Sequence, residues 1–182
     1  MMIKLQKQDK KKLLMLARSS IEDKLLNRKT SGLLPVQETL HQHAGVFVSV
    51  YVAKSLRGCL GHFETAKPLW KETSELAVSA AFRDYRFPAI SKNELNDLSI
   101  EISIIYPMVP ILSIAEYNPK IHGIYLEKDG NSGTFLPQVA QKTGWDSTEM
   151  LRHCAHDKAG LSWDAWKNAN LFIYETDVFS DN

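Results

Sequence analysis

Between Lys10 and Arg28 the apolar residues Leu13, Leu14, Leu16, Ala17, Ile21, Leu25 and Leu26 recur at helical spacing with charges between them. This pattern predicts an amphipathic helix docked on a core, with Asp9 as its N-cap. Thr30-Ser31-Gly32 and Pro35 break the pattern, and Gly45–Val52 (GVFVSVYV) follows, rich in β-branched and aromatic residues and read as a strand. Ala53-Lys54-Ser55 is the turn to an antiparallel partner over Leu56–Phe63. Pro68–Phe82 predicts a second helix with Leu69, Thr73, Leu76, Ala77 and Ala80 on one face. Pro88 stops it, and Ser91 with Glu94 gives a capping-box spacing for a short turn over Ser91–Leu98. Leu98–Tyr106 (LSIEISIIY) alternates as a strand and is closed by Pro107 and Pro110.

Further on, His122–Glu127 and Gly133–Leu136 flank Lys128-Asp129-Gly130-Asn131, a hairpin signal. Two short helices, Pro137–Thr143 and Ser147–His156, are split by Gly144, and Ala169–Phe179 is a last strand that places both chain ends in one core. Helices and locally paired strands mix, so the expected class is α+β with a mostly antiparallel sheet and flanking helices. No internal repeat or linker separates domains.

Composition narrows the function classes. With 182 residues, 44% of them hydrophobic and 24% charged, the chain can bury a core without staples, which excludes a disulfide scaffold, a collagen-like repeat and a disordered tail. Lys+Arg number 22 against Asp+Glu 21, a formal net charge of +1, so no global field gathers nucleic acid. Lys7, Lys10, Lys11 and Lys12 form a solvated first turn with no aromatic residues between them, and nucleic-acid binding is not expected. The two cysteines, Cys59 and Cys154, are too few for a secreted framework. No signal-peptide core or membrane-length apolar run is present, and a cytoplasmic protein with reduced thiols is expected.

Candidate chemistry concentrates in Leu56-Arg57-Gly58-Cys59-Leu60-Gly61-His62. In a regular strand Arg57, Cys59 and Gly61 share one face, so a guanidinium would lie beside a thiol and favour the thiolate. Gly58 and Gly61 would let the backbone approach a ligand closely. The alternative is a packed cysteine beside a bulge. Arg83 and Arg86, three apart at a helix end, could clamp a carboxylate or phosphate, or one could pair with Asp84 and compensate the helix dipole. His122 before a strand could be a general base or could hydrogen-bond a turn. Neither His41-x-His43 nor His153, Cys154 and His156 has the spacing of a strong metal motif, so no metal site is expected. No cofactor motif is read, and the four tryptophans suit core and rim packing.

LRGCLG (Leu56–Gly61), AAFRDYRFPAI (Ala80–Ile90), NELNDLSIEISII (Asn93–Ile105), HGIYL (His122–Leu126), GTFLPQVAQKTGWD (Gly133–Asp146) and KAGL (Lys158–Leu161) occur in one order. Together they resemble AmmeMemoRadiSam system protein A, the family of the AMME chromosomal-region protein, from about Gly45 to Phe179. The resemblance implies a single domain of two unequal lobes, the larger including both chain ends, with the motif residues lining a cleft between them. It also implies Memo-type and radical S-adenosylmethionine proteins as partners. The motif positions here are Arg57, Gly58, Cys59, Gly61, Arg86, Phe87, Pro88, His122, Gly123, Leu136, Pro137, Gly144 and Trp145. His62 and Tyr85 depart from the pattern. Two readings follow. In one, Cys59 is a thiol nucleophile and His122 an acid/base, with Arg57, Gly58, Gly61, Arg83 and Arg86 binding a small anionic substrate. In the other, the same residues form a ligand- or partner-binding module without turnover. A homodimer is compatible with either.

Overall fold

The computed structural model describes residues 4–28 and 37–181; the break at Thr30–Pro35 lies outside them. The fold is α+β. Its helices and strands run α1 (Lys7–Leu25), β1 (Gly45–Val52), β2 (Ser55–His62), α2 (Leu69–Phe82), β3 (Leu98–Ile105), β4 (Val109–Ile111), β5 (Gly123–Lys128), β6 (Asn131–Phe135), α3 (Pro137–Thr143), α4 (Ser147–His153), β7 (Asn170–Tyr174) and β8 (Thr176–Ser180). Two compact units divide them, one reaching to Ile105 and resuming at Asp177, the other spanning Tyr106–Thr176.

The first unit is a sheet of order β2-β1-β3-β8 with α1 and α2 packed on one face. Strand register sets that face, because antiparallel partners point to the same side. Val46, Val48 and Val50 lie opposite Ile104, Ile102 and Ile100, and all six are fully buried. Against them pack Leu13, Ala17 and Ile21 of α1 and Leu69, Leu76, Ala77 and Ala80 of α2. Helix α1 begins three residues earlier than its apolar pattern suggested. Its N-cap is Gln6, and Asp9 closes a capping box from the third helical position by accepting the Gln6 N–H at 2.9 Å. The chain ends meet here: Lys10 pairs with Asp177, and Arg18 with Asp181.

Two features bend β2. Ala53 and Lys54 both have positive φ, 48° and 67°, as a two-residue hairpin of this twist requires. The register then slips, so that Tyr51 faces Leu56 while Val50 faces Gly58, and Arg57 is left as the extra, bulged residue. The expected shared face of Arg57 and Cys59 is therefore broken at the bulge. Beyond it, Gly58 faces α2 so closely that a Cβ there would lie 1.9 Å from the Ala80 carbonyl oxygen.

The second unit is a sheet of order β4-β7-β5-β6. Ile124, Leu126 and Phe135 meet Met150, Leu151, Cys154 and Ala155, which come from α4 and a π-helical turn over Cys154–Lys158. Asp129 and Gly130 take left-handed φ values of 50° and 77° in the hairpin that their sequence announced. The expected final strand Ala169–Phe179 is two strands: β7 belongs to this sheet and β8 to the first. Short β4 contains Pro110, a residue expected to close the preceding strand. It is an edge strand, where a missing N–H is tolerated. Among the described residues no helix is long and apolar enough to cross a membrane.

Placing a methyl group at Gly58 must push α2 off the sheet. Gly58→Ala is expected to cost about 3 kcal/mol or more of unfolding free energy, read by urea denaturation.

Candidate functional site

Strand β2 is an edge of its sheet, so alternate backbone groups on it need partners from elsewhere. Helix α2 supplies them through the segment that follows its C-terminus. The helix ends at Phe82, and the chain turns so that Asp84 Oδ2 accepts the Cys59 N–H at 2.9 Å. Arg86 Nη2 donates to the Cys59 carbonyl oxygen at 2.9 Å. The two side chains are locked to each other, with Arg86 Nε donating to Asp84 Oδ1 at 2.8 Å and Nη2 to Oδ2 at 2.7 Å. Asp84 is 4% exposed. The Arg86 hydrogen bonds hold its carboxyl far below the usual carboxylate range, against a burial penalty that acts the other way.

Arg57 is captured in the same manner. Its guanidinium pairs with Glu94 and donates to the Pro88 carbonyl at 3.1 Å. Glu94 also accepts the Ser91 N–H and hydroxyl, both at 2.8 Å. Those contacts, the Ser91 backbone N–H first and then Arg57, bring its carboxyl down to about 2. The three sequence blocks that stood out in this unit are thus stitched together along one sheet edge.

This arrangement changes the roles expected of several residues. Neither Arg57 nor Arg86 is free to clamp an anion, because each already holds a carboxylate. Arg83 and Arg86 share no helical face, since the helix has ended before them; Arg83 lines a groove with α1 instead. Gly58 opens onto α2, and Gly61 onto the Phe47 ring, 2.3 Å from where a Cβ would sit, so both serve packing rather than a ligand. Asp84 engages Cys59 and Arg86, not a histidine. His122 lies in the second unit, where its Nδ1 accepts the Asn118 N–H at 3.2 Å and fixes a turn. His62 points to the helix face and donates to Glu72, a carboxylate 1% exposed that Thr65 also serves.

The Cys59 side chain lies on the face away from the helices, beside residues of the neighbouring strands. Because the Cys59 N–H and C=O point outward to Asp84 and Arg86, Cys59 and Ser49 form a non-hydrogen-bonded cross-strand pair, the closer kind. The Ser49 hydroxyl donates to Cys59 Sγ at 3.3 Å. On the other side of Ser49 the register places Glu101 of β3. The half-buried thiol, a hydroxyl and a carboxylate therefore form one row across three strands. Tyr51, one pleat along, is held there too: burial and then the Glu101 charge raise its phenol above its ordinary value. Ser49, Tyr51 and Glu101 were not singled out in the sequence. A lone glutamate among the isoleucines of LSIEISII was the available signal.

The remaining histidine–cysteine cluster holds no metal constellation; among the described residues no such group of three occurs. His153 and His156 instead both face Asp157, at 2.7 and 2.8 Å, and stack on Trp145 and Trp163. Cys154 is fully buried, and burial pushes its thiol up to about 12.

The edge clamp generates a pH prediction. Asp84 and Glu94 have depressed folded-state values, so they bind protons more weakly in the folded chain than in the unfolded one. Their contribution is complete above the unfolded carboxylate range near pH 4–5 and is lost as pH falls through the folded values. Urea midpoints should therefore drop between about pH 5 and pH 2. Asp84→Asn should lose about 3 kcal/mol at neutral pH and flatten this slope, as measured by denaturation across pH.

The comparisons with known proteins agree in extent. The AMMECR1 family model matches residues 14–179. Protein MK0488 of Methanopyrus kandleri is 37% identical over 180 residues, covering 93% of this chain and 86% of that protein. Protein NEQ441 of Nanoarchaeum equitans is 34% identical over 157 residues, covering 81% and 86%. The crystal structure of uncharacterized protein PH0010 from Pyrococcus horikoshii superposes with a TM-score of 0.80 at 31% identity, covering 93% of this chain and 90% of that one. With nearly its whole described length matched in sequence and in fold, the chain belongs to the AMMECR1 family.

Proposed function

We propose that this chain is a thiol-dependent enzyme whose nucleophile is Cys59, acting on a small molecule bound on the helix-free face of the first sheet. The observation that carries this reading is the Cys59–Ser49–Glu101 row, with Ser49 donating to the sulfur at 3.3 Å. A hydroxyl hydrogen bond supports a thiolate, a carboxylate within the row is a proton acceptor, and Tyr51 is a donor for a substrate oxygen. Backbone hydrogen bonds from both of its ends keep Cys59 in place, so the sulfur is positioned by the fold rather than by a mobile loop. In this proposal the partners are those the resemblance suggests, a Memo-type protein and a radical S-adenosylmethionine protein. A second reading, a binding face without turnover, is favoured by the engagement of Arg57 and Arg86 in ion pairs, which leaves the thiol without a free cation to activate it.

Two probes separate the readings. Iodoacetamide should label Cys59 in the native protein at least tenfold faster than buried Cys154, read by mass spectrometry. p-Nitrophenyl acetate should give a burst of nitrophenolate near one per chain, lost in Cys59→Ala and kept in Cys154→Ala. Labelling of Cys59 no faster than that of Cys154 refutes the nucleophile. Rapid labelling without a burst leaves the binding face.

A further inference from the structure

A groove lies on the helix-bearing side of the first unit. Helices α1 and α2 border a groove of about 590 Å³, within the range of small-molecule sites. Lys24, Arg28, Lys71 and Arg83 line it, and Glu75 is its single acid. Glu75 is already paired with Lys67. None of the four cations has an ion-pair partner among the described residues, and all four are exposed.

The distribution of arginines shows how unusual this is for the chain. Of its six, Arg18, Arg57 and Arg86 hold carboxylates, and Arg152 lies over the Trp163 ring. The two left over, Arg28 and Arg83, both line this one groove. Helix dipoles explain part of it, since Lys24, Arg28 and Arg83 stand at or just past helix C-termini. They do not explain Lys71, which sits in the first turn of α2, where the dipole disfavours a cation. Lys71 and Arg83 are twelve residues apart, about 18 Å along the helix. A single phosphate cannot reach both, whereas an extended polyanion can. Arginine forks suit phosphate oxygens, and the Trp70 indole on the groove wall offers a flat apolar surface.

We propose that the α1–α2 groove binds a small molecule carrying several phosphate groups, at a site independent of Cys59. The phosphates lie along Lys24, Arg28, Lys71 and Arg83, and bound anion relieves the mutual repulsion of these charges.

Isothermal titration calorimetry of the full chain tests this with tripolyphosphate, ATP and a short single-stranded oligonucleotide. Tripolyphosphate and ATP should bind, more weakly as ionic strength rises. The Arg28→Ala/Lys71→Ala variant should lose at least tenfold in affinity, with its circular dichroism unchanged. Lys120→Ala/Lys142→Ala, which removes equal charge from the second unit, should bind as the parent does, and so should Cys59→Ala. ATP binding more tightly than tripolyphosphate supports the site and adds the Trp70 wall to it; equal affinities support a site that reads phosphates alone. No binding at millimolar ligand, or equal loss in both double variants, overturns the proposal. An oligonucleotide held more tightly than either small ligand through Arg28 and Lys71 overturns it in favour of a nucleic-acid surface.

Discussion

The first unit depends on how the open edge of β2 is closed. An edge strand presents unpaired N–H and C=O groups, and here the Asp84 carboxylate and Arg86 guanidinium take the pair that belongs to Cys59. A carboxylate buried to 4% exposure is costly unless it is paired and hydrogen-bonded, and Asp84 is both. The clamp requires the segment after α2 to lie against β2. That in turn requires α2 to sit on β2 at backbone distance, which a glycine at position 58 alone permits. The glycine, the aspartate and the arginine are thus parts of one construction.

Closing the edge also sets the character of the thiol. With its backbone groups turned outward, Cys59 must meet Ser49 as a close cross-strand pair. Strand register then sets a hydroxyl beside the sulfur, with a carboxylate one strand further on and a phenol one pleat along, while the Arg86 guanidinium is held on the Cys59 carbonyl and the Asp84 carboxylate. Arg57 and Arg86, expected to mark an anion site, are structural, while cations without an ion pair among the described residues gather on the far side, between the helices. Within two residues at the end of α2 the chain switches purposes: Arg83 faces the groove and Asp84 holds the edge.

In the second unit, polar groups again serve the fold. His122 fixes a turn, and the Tyr174 hydroxyl, against the open Cα of Gly123, bonds to Thr134 at 2.7 Å and the Phe135 carbonyl at 3.1 Å. His153 and His156 share the Asp157 carboxylate between stacked indoles, and its hydrogen bonds to His156 and then His153 lower its value. The histidine pair, whose spacing predicted no metal site, is an ion-paired, ring-stacked surface.

The sequence by itself determined the elements and their class. Period-two runs of valine and isoleucine in GVFVSVYV and LSIEISII can bury one face only as strands, and Asp129-Gly130 can turn left-handed at small cost. The cluster around Cys59 was legible as a place where glycine, arginine and cysteine crowd together. Tertiary structure alone decided what that crowding meant. The bulge at Arg57 breaks the alternation on which a shared face rests, and ion-pair partners such as Glu94 and Asp84 are set by how loops return to the edge. It likewise split the last apolar run between two sheets. Local periodicity fixes which side of an element is apolar, whereas register and edge contacts are long-range pairings that a one-dimensional pattern does not encode.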